Sequence, residues 1–197
     1  MGVSKQQAIE NKGAIVAAAE KLFRERGVAA VGLAELTKAA GFTQGGFYNH
    51  FKSKDALVAA VMEKAMEDGA ARLIAGLQAS TAADCTIKQY IEWYLSADHR
   101  TDIEAGCPLS VFAGDVRRLG EEARQSYAHG LLWNLDQLAS VIDGENAQEK
   151  QAKAITLFSQ MVGSLLLSRA VVEADPALAD EILRNGRQQL LQAIRPE

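Results

Sequence analysis

The sequence predicts an all-α protein in two parts, a three-helix N-terminal head joined by a long fourth helix to a larger helical domain. Three observations carry that expectation. Only 3 prolines occur in 197 residues. Apolar residues recur at helical spacing through most of the chain, and the apolar stretches are separated by Gly, Pro, Asp, Asn or Ser at positions where helices start and stop. With 48% hydrophobic and 23% charged residues, the chain has the balance of a globular protein able to bury a core.

Taken in order, a first helix is expected over Lys5–Arg26, with Ile15, Val16, Ala19, Leu22 and Phe23 on one face and Gly27 as its stop. A short second helix follows over Leu33–Ala40, ended by Gly41, with Phe42 plugging the corner. The third runs from Thr43 or Gln44 to Asn49, capped by Thr43, with Phe47 turned inward. Ser53 caps the fourth, and Asp55 in its first turn suits the helix dipole. Further helices are expected over Thr86–Ala97, Pro108–Leu119, Glu121–Ile142, Ala147–Val172 and Pro176–Ile194, with connections at 76–84, 98–106 and 143–146. The head is placed at residues 5–55, with a helix-turn-helix at about 32–51, and the body at 56–197.

The net charge of −4 speaks at first against a nucleic-acid partner, but its distribution reverses that reading. Residues 1–54 hold eight basic and four acidic groups, a net of +4, and the remainder carries −8. A basic head on an acidic body results, although a merely solvated charge pattern gives the same asymmetry. No apolar run approaches the roughly 20 residues of a membrane span, and the first residues lack the apolar core of a signal peptide, so a cytoplasmic protein is expected. Cys85 and Cys107, with His50, His99 and His129, show no zinc spacing, and no metal or other cofactor is expected.

Leu36, Ala40, Phe42 and Phe47 are spaced to hold two short helices at a steep angle about Gly41, which leaves the second free to enter a major groove. Its outward residues Thr43, Gln44, Tyr48, Asn49 and His50 are uncharged hydrogen-bonding groups suited to base edges and phosphates, with Lys52 and Lys54 following to meet the backbone. Gly45 and Gly46 admit two readings, a close approach to DNA or a frayed helix ordered on binding. For Tyr48 the plainer alternative is a half-buried core tyrosine, and for His50 it is packing beneath the fourth helix.

The run AELTKAAGFTQGGFYNHFKSKDAL, and within it Phe47-Tyr48-x-His50-Phe51-x-Ser53-Lys54-x-x-Leu57, resembles the signature of the tetracycline-repressor (TetR) family. The resemblance covers residues 9–60 closely and implies a dimeric DNA-binding regulator, not an enzyme, released from a palindromic operator by a small effector bound in the body. It implies that Gln44 and Gly46 face the groove, that Tyr48 and His50 contact backbone or base, and that Lys54 binds phosphate. Where the family usually has Ser or Thr before the second helix, this chain has Gly32, so that hydroxyl contact is missing.

In the body, Cys107 precedes Pro108 at an expected helix start, where a lowered thiol pKa would suit a sensor of oxidants or electrophiles. The alternatives are a small buried hydrophobe and, remotely, a nucleophile paired with His99 or His129. Met66, Trp93, Cys107, Phe112, Tyr127, Trp133 and Met161 are candidates to line the effector cavity that the resemblance implies. The last two helices resemble the family's dimerisation bundle, with Phe158, Val162, Leu165, Leu166, Arg169, Ile182 and Leu190 as candidate interface residues.

Overall fold

The computed structural model describes residues 4–78 and 83–194. Of the expected connection at 76–84, residues 79–82 lie outside the described residues, as do the N-terminal residues 1–3 and the side chain of Cys85. The described residues form ten α-helices and no strand: α1 (Lys5–Arg26), α2 (Leu33–Ala39), α3 (Gln44–Tyr48), α4 (Lys54–Gln78), α5 (Ala83–Tyr94), α6 (Ala97–Thr101), α7 (Pro108–Val111), α8 (Glu121–Val141), α9 (Ala147–Val171) and α10 (Pro176–Ala193).

Two of these differ from expectation. The connection at 98–106 contains α6, started by Ser96, whose side chain accepts from the His99 amide, with Asp98 in the first turn. The helix expected from Pro108 to Leu119 stops after one turn at Val111, and a 3-10 turn follows at Val116–Arg118.

The chain divides into two units, one of residues up to Glu67 with Val111–His129, the other of Asp68–Ser110 with the chain from Gly130 onward. The N-terminal half of α4 and the segment 111–129 are thus grouped with the head, and the first division falls within α4. Side chains explain why. Phe112 and Ala123 are each 1% exposed in that unit. The Arg24 guanidinium lies 5.5 Å from the Phe112 ring centroid, and the Val28 amide donates to Asp115 Oδ2 at 3.1 Å.

In the first unit, Ile15, Val16, Ala19 and Phe23 of α1 meet Val28, Val31, Leu36, Phe47, Phe51 and the α4 residues Leu57, Val58, Val61, Met62 and Ala65 in one apolar core. Gly41 takes φ +75°, the left-handed conformation that lets α2 stop and the chain turn sharply. The Phe42 amide closes the corner on Thr37 O at 2.8 Å. Thr43 then caps α3, its hydroxyl accepting from Gly46 N at 3.1 Å, and Ser53 accepts from Ala56 N at 3.1 Å at the start of α4.

In the second unit α9 and α10 pack along their length. Gly186 makes this possible, because a Cβ there would stand 2.5 Å from Ser164 Oγ. Ala154, Leu157, Phe158, Met161, Leu165 and Ser168 form one buried stripe of α9, at the spacing of a helix face. The opposite side carries exposed Ile155, Leu166 and Leu167. Both sides being apolar, α9 is by length and composition long and apolar enough to cross a membrane, although its longest sequence run of leucines is short.

Candidate nucleic-acid interface

Five residues of helix make up α3, which is too short to stand alone, and three devices hold it. Thr43 caps it, the Asn49 amide returns to Gly46 O, and Phe47 anchors it with a side chain 0% exposed. Phe47 stacks on Phe51 at 5.7 Å and meets the Tyr48 ring edge-on at 5.4 Å. Burial of that ring stabilises by about 1.5–3 kcal/mol. With Phe47 inward, helical geometry turns Thr43, Gln44, Gly45, Tyr48 and Asn49 outward, and all five are exposed.

Tyr48 is 57% exposed, so the core-tyrosine alternative does not describe it. Gly46 and His50 are half-buried, and His50 sets its ring edge-on against Phe42 at 5.9 Å rather than projecting freely. Lys54 is half-buried and engaged within the protein. Its ammonium donates to Val28 O at 2.8 Å and lies 5.9 Å from the Phe23 ring centroid, tying the start of α4 to the turn after α1. The neighbouring Lys52 is exposed, as is Lys38 on α2. Gly32 begins α2 with no side-chain cap bond. A Cβ on Gly45 would meet Thr43 Oγ1 at 4.0 Å and nothing closer, so the protein itself leaves room for a side chain there.

The expected effector residues are divided between the two units. Met66, Phe112 and Tyr127 belong to the first unit, and Trp93, Cys107, Trp133 and Met161 to the second. Met161 is 0% exposed and Met66 8%, whereas Trp93 is 47% exposed and faces outward. Its neighbour Tyr94 takes the interior position, a one-residue displacement that a helix converts into a rotation of about 100°. A cleft of about 800 Å³ in the second unit is lined by none of the seven; Ile87, Ile142, Leu157 and Leu190 form its apolar wall and Glu149 and Lys153 part of its rim. Lys153 donates to Asp143 O at 3.1 Å and pairs with Glu149 at 2.7 Å, which lowers the Glu149 carboxyl below its ordinary range.

Cys107 is half-buried. Its carbonyl accepts from Ser110 Oγ at 2.8 Å and its amide donates to His99 Nε2 at 3.1 Å. His99 Nδ1 donates to Tyr94 O at 2.7 Å. Both imidazole nitrogens are thus spent on backbone groups, which corrects the remote reading of His99 as a base for the thiol. The helix that Pro108 opens has four residues, so the dipole expected at Cys107 is that of a single turn.

Of the expected dimer residues, Phe158, Leu165 and Leu190 are buried within the protomer at 3%, 0% and 3% exposure. Arg169 is an internal brace, with Nη2 donating to His99 O at 2.7 Å and Nε to Arg100 O at 3.0 Å. Val162 and Ile182 are half-buried and Leu166 is 37% exposed, so these remain on the surface of α9 and α10.

The family described as "Bacterial regulatory proteins, tetR family" matches residues 15–61, which span α1 to the first half of α4. The chain is 41% identical over 64 residues to the HTH-type transcriptional regulator TtgR of Pseudomonas putida, a match covering 32% of this chain and 30% of that regulator. It is 25% identical over 190 residues to the HTH-type transcriptional repressor NemR of Escherichia coli, covering 90% and 94% of the two chains. The crystal structure of reduced NemR superposes with a TM-score of 0.78 at 23% identity, over 94% of this chain and 97% of that one. A TetR transcriptional regulator from Chloroflexus aurantiacus superposes at 0.80 and 22% identity, over 96% of each.

Proposed function

From the premise that this chain belongs to the TetR family, we propose that it is a DNA-binding transcriptional repressor that reads a palindromic operator as a homodimer and is released by a small effector. One observation carries the reading. The outward face of α3 presents Thr43, Gln44, Tyr48 and Asn49, all exposed and uncharged, on a helix held by the buried Phe47. Uncharged donors and acceptors on a short helix suit base edges, whereas a surface that gripped any duplex would rely on Lys and Arg. The exposed Lys38 and Lys52 flank that face and supply backbone contacts. Room for a side chain at Gly45 within the protein favours the close-approach reading, in which the space is needed by DNA.

The dimer draws on the exposed face of α9 and α10, where Ile155, Val162, Leu166 and Ile182 need cover. Two such helix pairs make a four-helix bundle about a two-fold axis, and the same axis dictates a palindromic site. The repressor reading draws on the name of the NemR relative, and the cytoplasmic location on the DNA partner. Effector control is carried over from the likeness to TetR-family regulators.

Replacement of Tyr48 by Ala is expected to weaken binding to every duplex, because it removes a backbone-reaching group. Gln44→Ala is expected to relax discrimination at one base position by about 1–3 kcal/mol while leaving nonspecific binding intact. Gel-shift titration of both variants against a selected operator and scrambled duplex checks this. Wild-type affinity and specificity in both variants would overturn the assignment of α3 as the reading helix.

A further inference from the structure

Inside the second unit, α5 and α8 bury polar groups whose bonding the protein leaves unmet. Tyr94 on α5 is 0% exposed, and its hydroxyl has no hydrogen-bond partner. Asn134 on α8 is 6% exposed, and its Oδ1 likewise accepts from nothing. Tyr90 lies between them, 7% exposed, with its ring centroid 5.8 Å from that of Tyr94 and its hydroxyl paired with Asn134.

The side chains beside the Tyr94 hydroxyl are Ser110 and Cys107, and neither reaches hydrogen-bond geometry with it. Ser110 Oγ donates to Cys107 O at 2.8 Å and receives Arg169 Nη1 at 3.3 Å. His99 spends both ring nitrogens on backbone groups. The Cys107 thiol, which also faces the Tyr94 hydroxyl, is a weak donor and a weak acceptor. A buried hydroxyl and a buried amide oxygen left unpaired are each costly, and two in one cluster are explained by a partner that arrives from outside.

We propose that Tyr90, Tyr94 and Asn134, with Cys107 and Ser110 at the margin, form a binding site for a small uncharged molecule carrying both a hydrogen-bond acceptor and a donor. A primary amide, an alcohol or a phenol has that pattern. The acceptor takes the Tyr94 O–H and the donor serves Asn134 Oδ1. A carboxylate fails on two counts, since it has no hydrogen for Asn134 and must be buried with its charge. The same burial, followed by the proximity of Cys107, pushes both phenols well above their ordinary pKa and keeps them as neutral donors. The site deepens the effector half of the proposed function and rests on that reading for its consequence, though not for its existence.

Calorimetric titration of the full-length protein with benzamide, and with benzoate as its charged isostere, tests the site. Wild type should bind benzamide at least about tenfold more tightly than benzoate, and Tyr94→Phe should weaken benzamide by about tenfold or more. Because Tyr94→Phe removes an unmet hydroxyl, its unfolding temperature without ligand should equal or exceed that of wild type. Benzamide bound no better than benzoate, bound equally by both proteins, or not bound at all, overturns the proposal. So does a lowered unfolding temperature in Tyr94→Phe, since it would show the hydroxyl already satisfied inside the protein. None of these readouts involves DNA, so a protein that failed to bind DNA would count against the regulator reading alone.

Discussion

At His99 the backbone decides a protonation state. The Tyr94 carbonyl can only accept, so Nδ1 carries the hydrogen, and the Cys107 amide can only donate, so Nε2 must be bare. A second ring proton would set two donors against each other. Burial lowers the His99 pKa from its usual value; the Tyr94 bond and Asp102 oppose this, while Arg169 and Arg72 reinforce it. A histidine depressed on folding takes up fewer protons in the native state than in the unfolded chain. Its contribution is therefore whole above the unfolded pKa of about 6.5 and is lost as pH falls from there through the lower native value. Thermal unfolding from about pH 8 to about pH 5 should show wild type losing more stability than His99→Gln, whose amide can donate and accept without titrating. Parallel pH dependences would contradict the locked neutral ring. Residue identity alone left His99 undistinguished, because its partners are backbone groups that have no signature in a sequence. Lys54 shows the same limit from the other side. Its spacing after α3 suited a phosphate contact, and nothing in the sequence announced the bond it also makes to Val28 O.

At the scale of the element, α9 shows what apolar periodicity conveys and what it hides. The stripe containing Phe158, Leu165 and Leu166 was legible as apolar, yet its members divide between the protomer core and the outer face. Core and interface are chemically alike, so the sequence pattern does not sort them; only the neighbouring helix does, here α10 brought close at Gly186. The division has opposite consequences for adjacent residues. Leu166→Asp places a charge on the outer face, so the dimer should dissociate with the protomer's helicity intact. Leu165→Asp buries an unpaired charge and should cost about 3–5 kcal/mol or unfold the protomer outright. Sedimentation and circular dichroism of the two variants separate these outcomes, and a Leu166→Asp protein as dimeric as wild type would contradict the interface. Local signals served well where a cap and a turn lay within a few residues, as at Gly41, Thr43 and Ser53. They failed at α7, where Pro108 announced a helix and the chain instead turned after Val111 toward Asp115, whose partner Val28 is distant in sequence.

For the whole molecule, the division into units shows why the head was legible and the later segment grouped with it was not. The head's caps, glycine turn and aromatic anchor lie within one continuous stretch, and the family match covers that same stretch. The segment 111–129 joins it through single contacts such as Asp115 to Val28 N, which no local pattern announces. Two helices, α4 and α8, contain residues of both units, so the chain passes from one unit to the other within helices at these two points. On the proposed function, an effector that lowers operator affinity must itself be bound more weakly in the presence of operator, by the same factor. The central claim is that a two-fold pair of α3 helices reads sequence. Selection of bound duplexes from a random pool with the full-length protein, followed by footprinting of the winners, measures this directly. The expected product is an inverted repeat whose half-sites are centred about 34–36 Å apart or a multiple of that; enrichment of no symmetric repeat, or equal retention of every duplex, would contradict it.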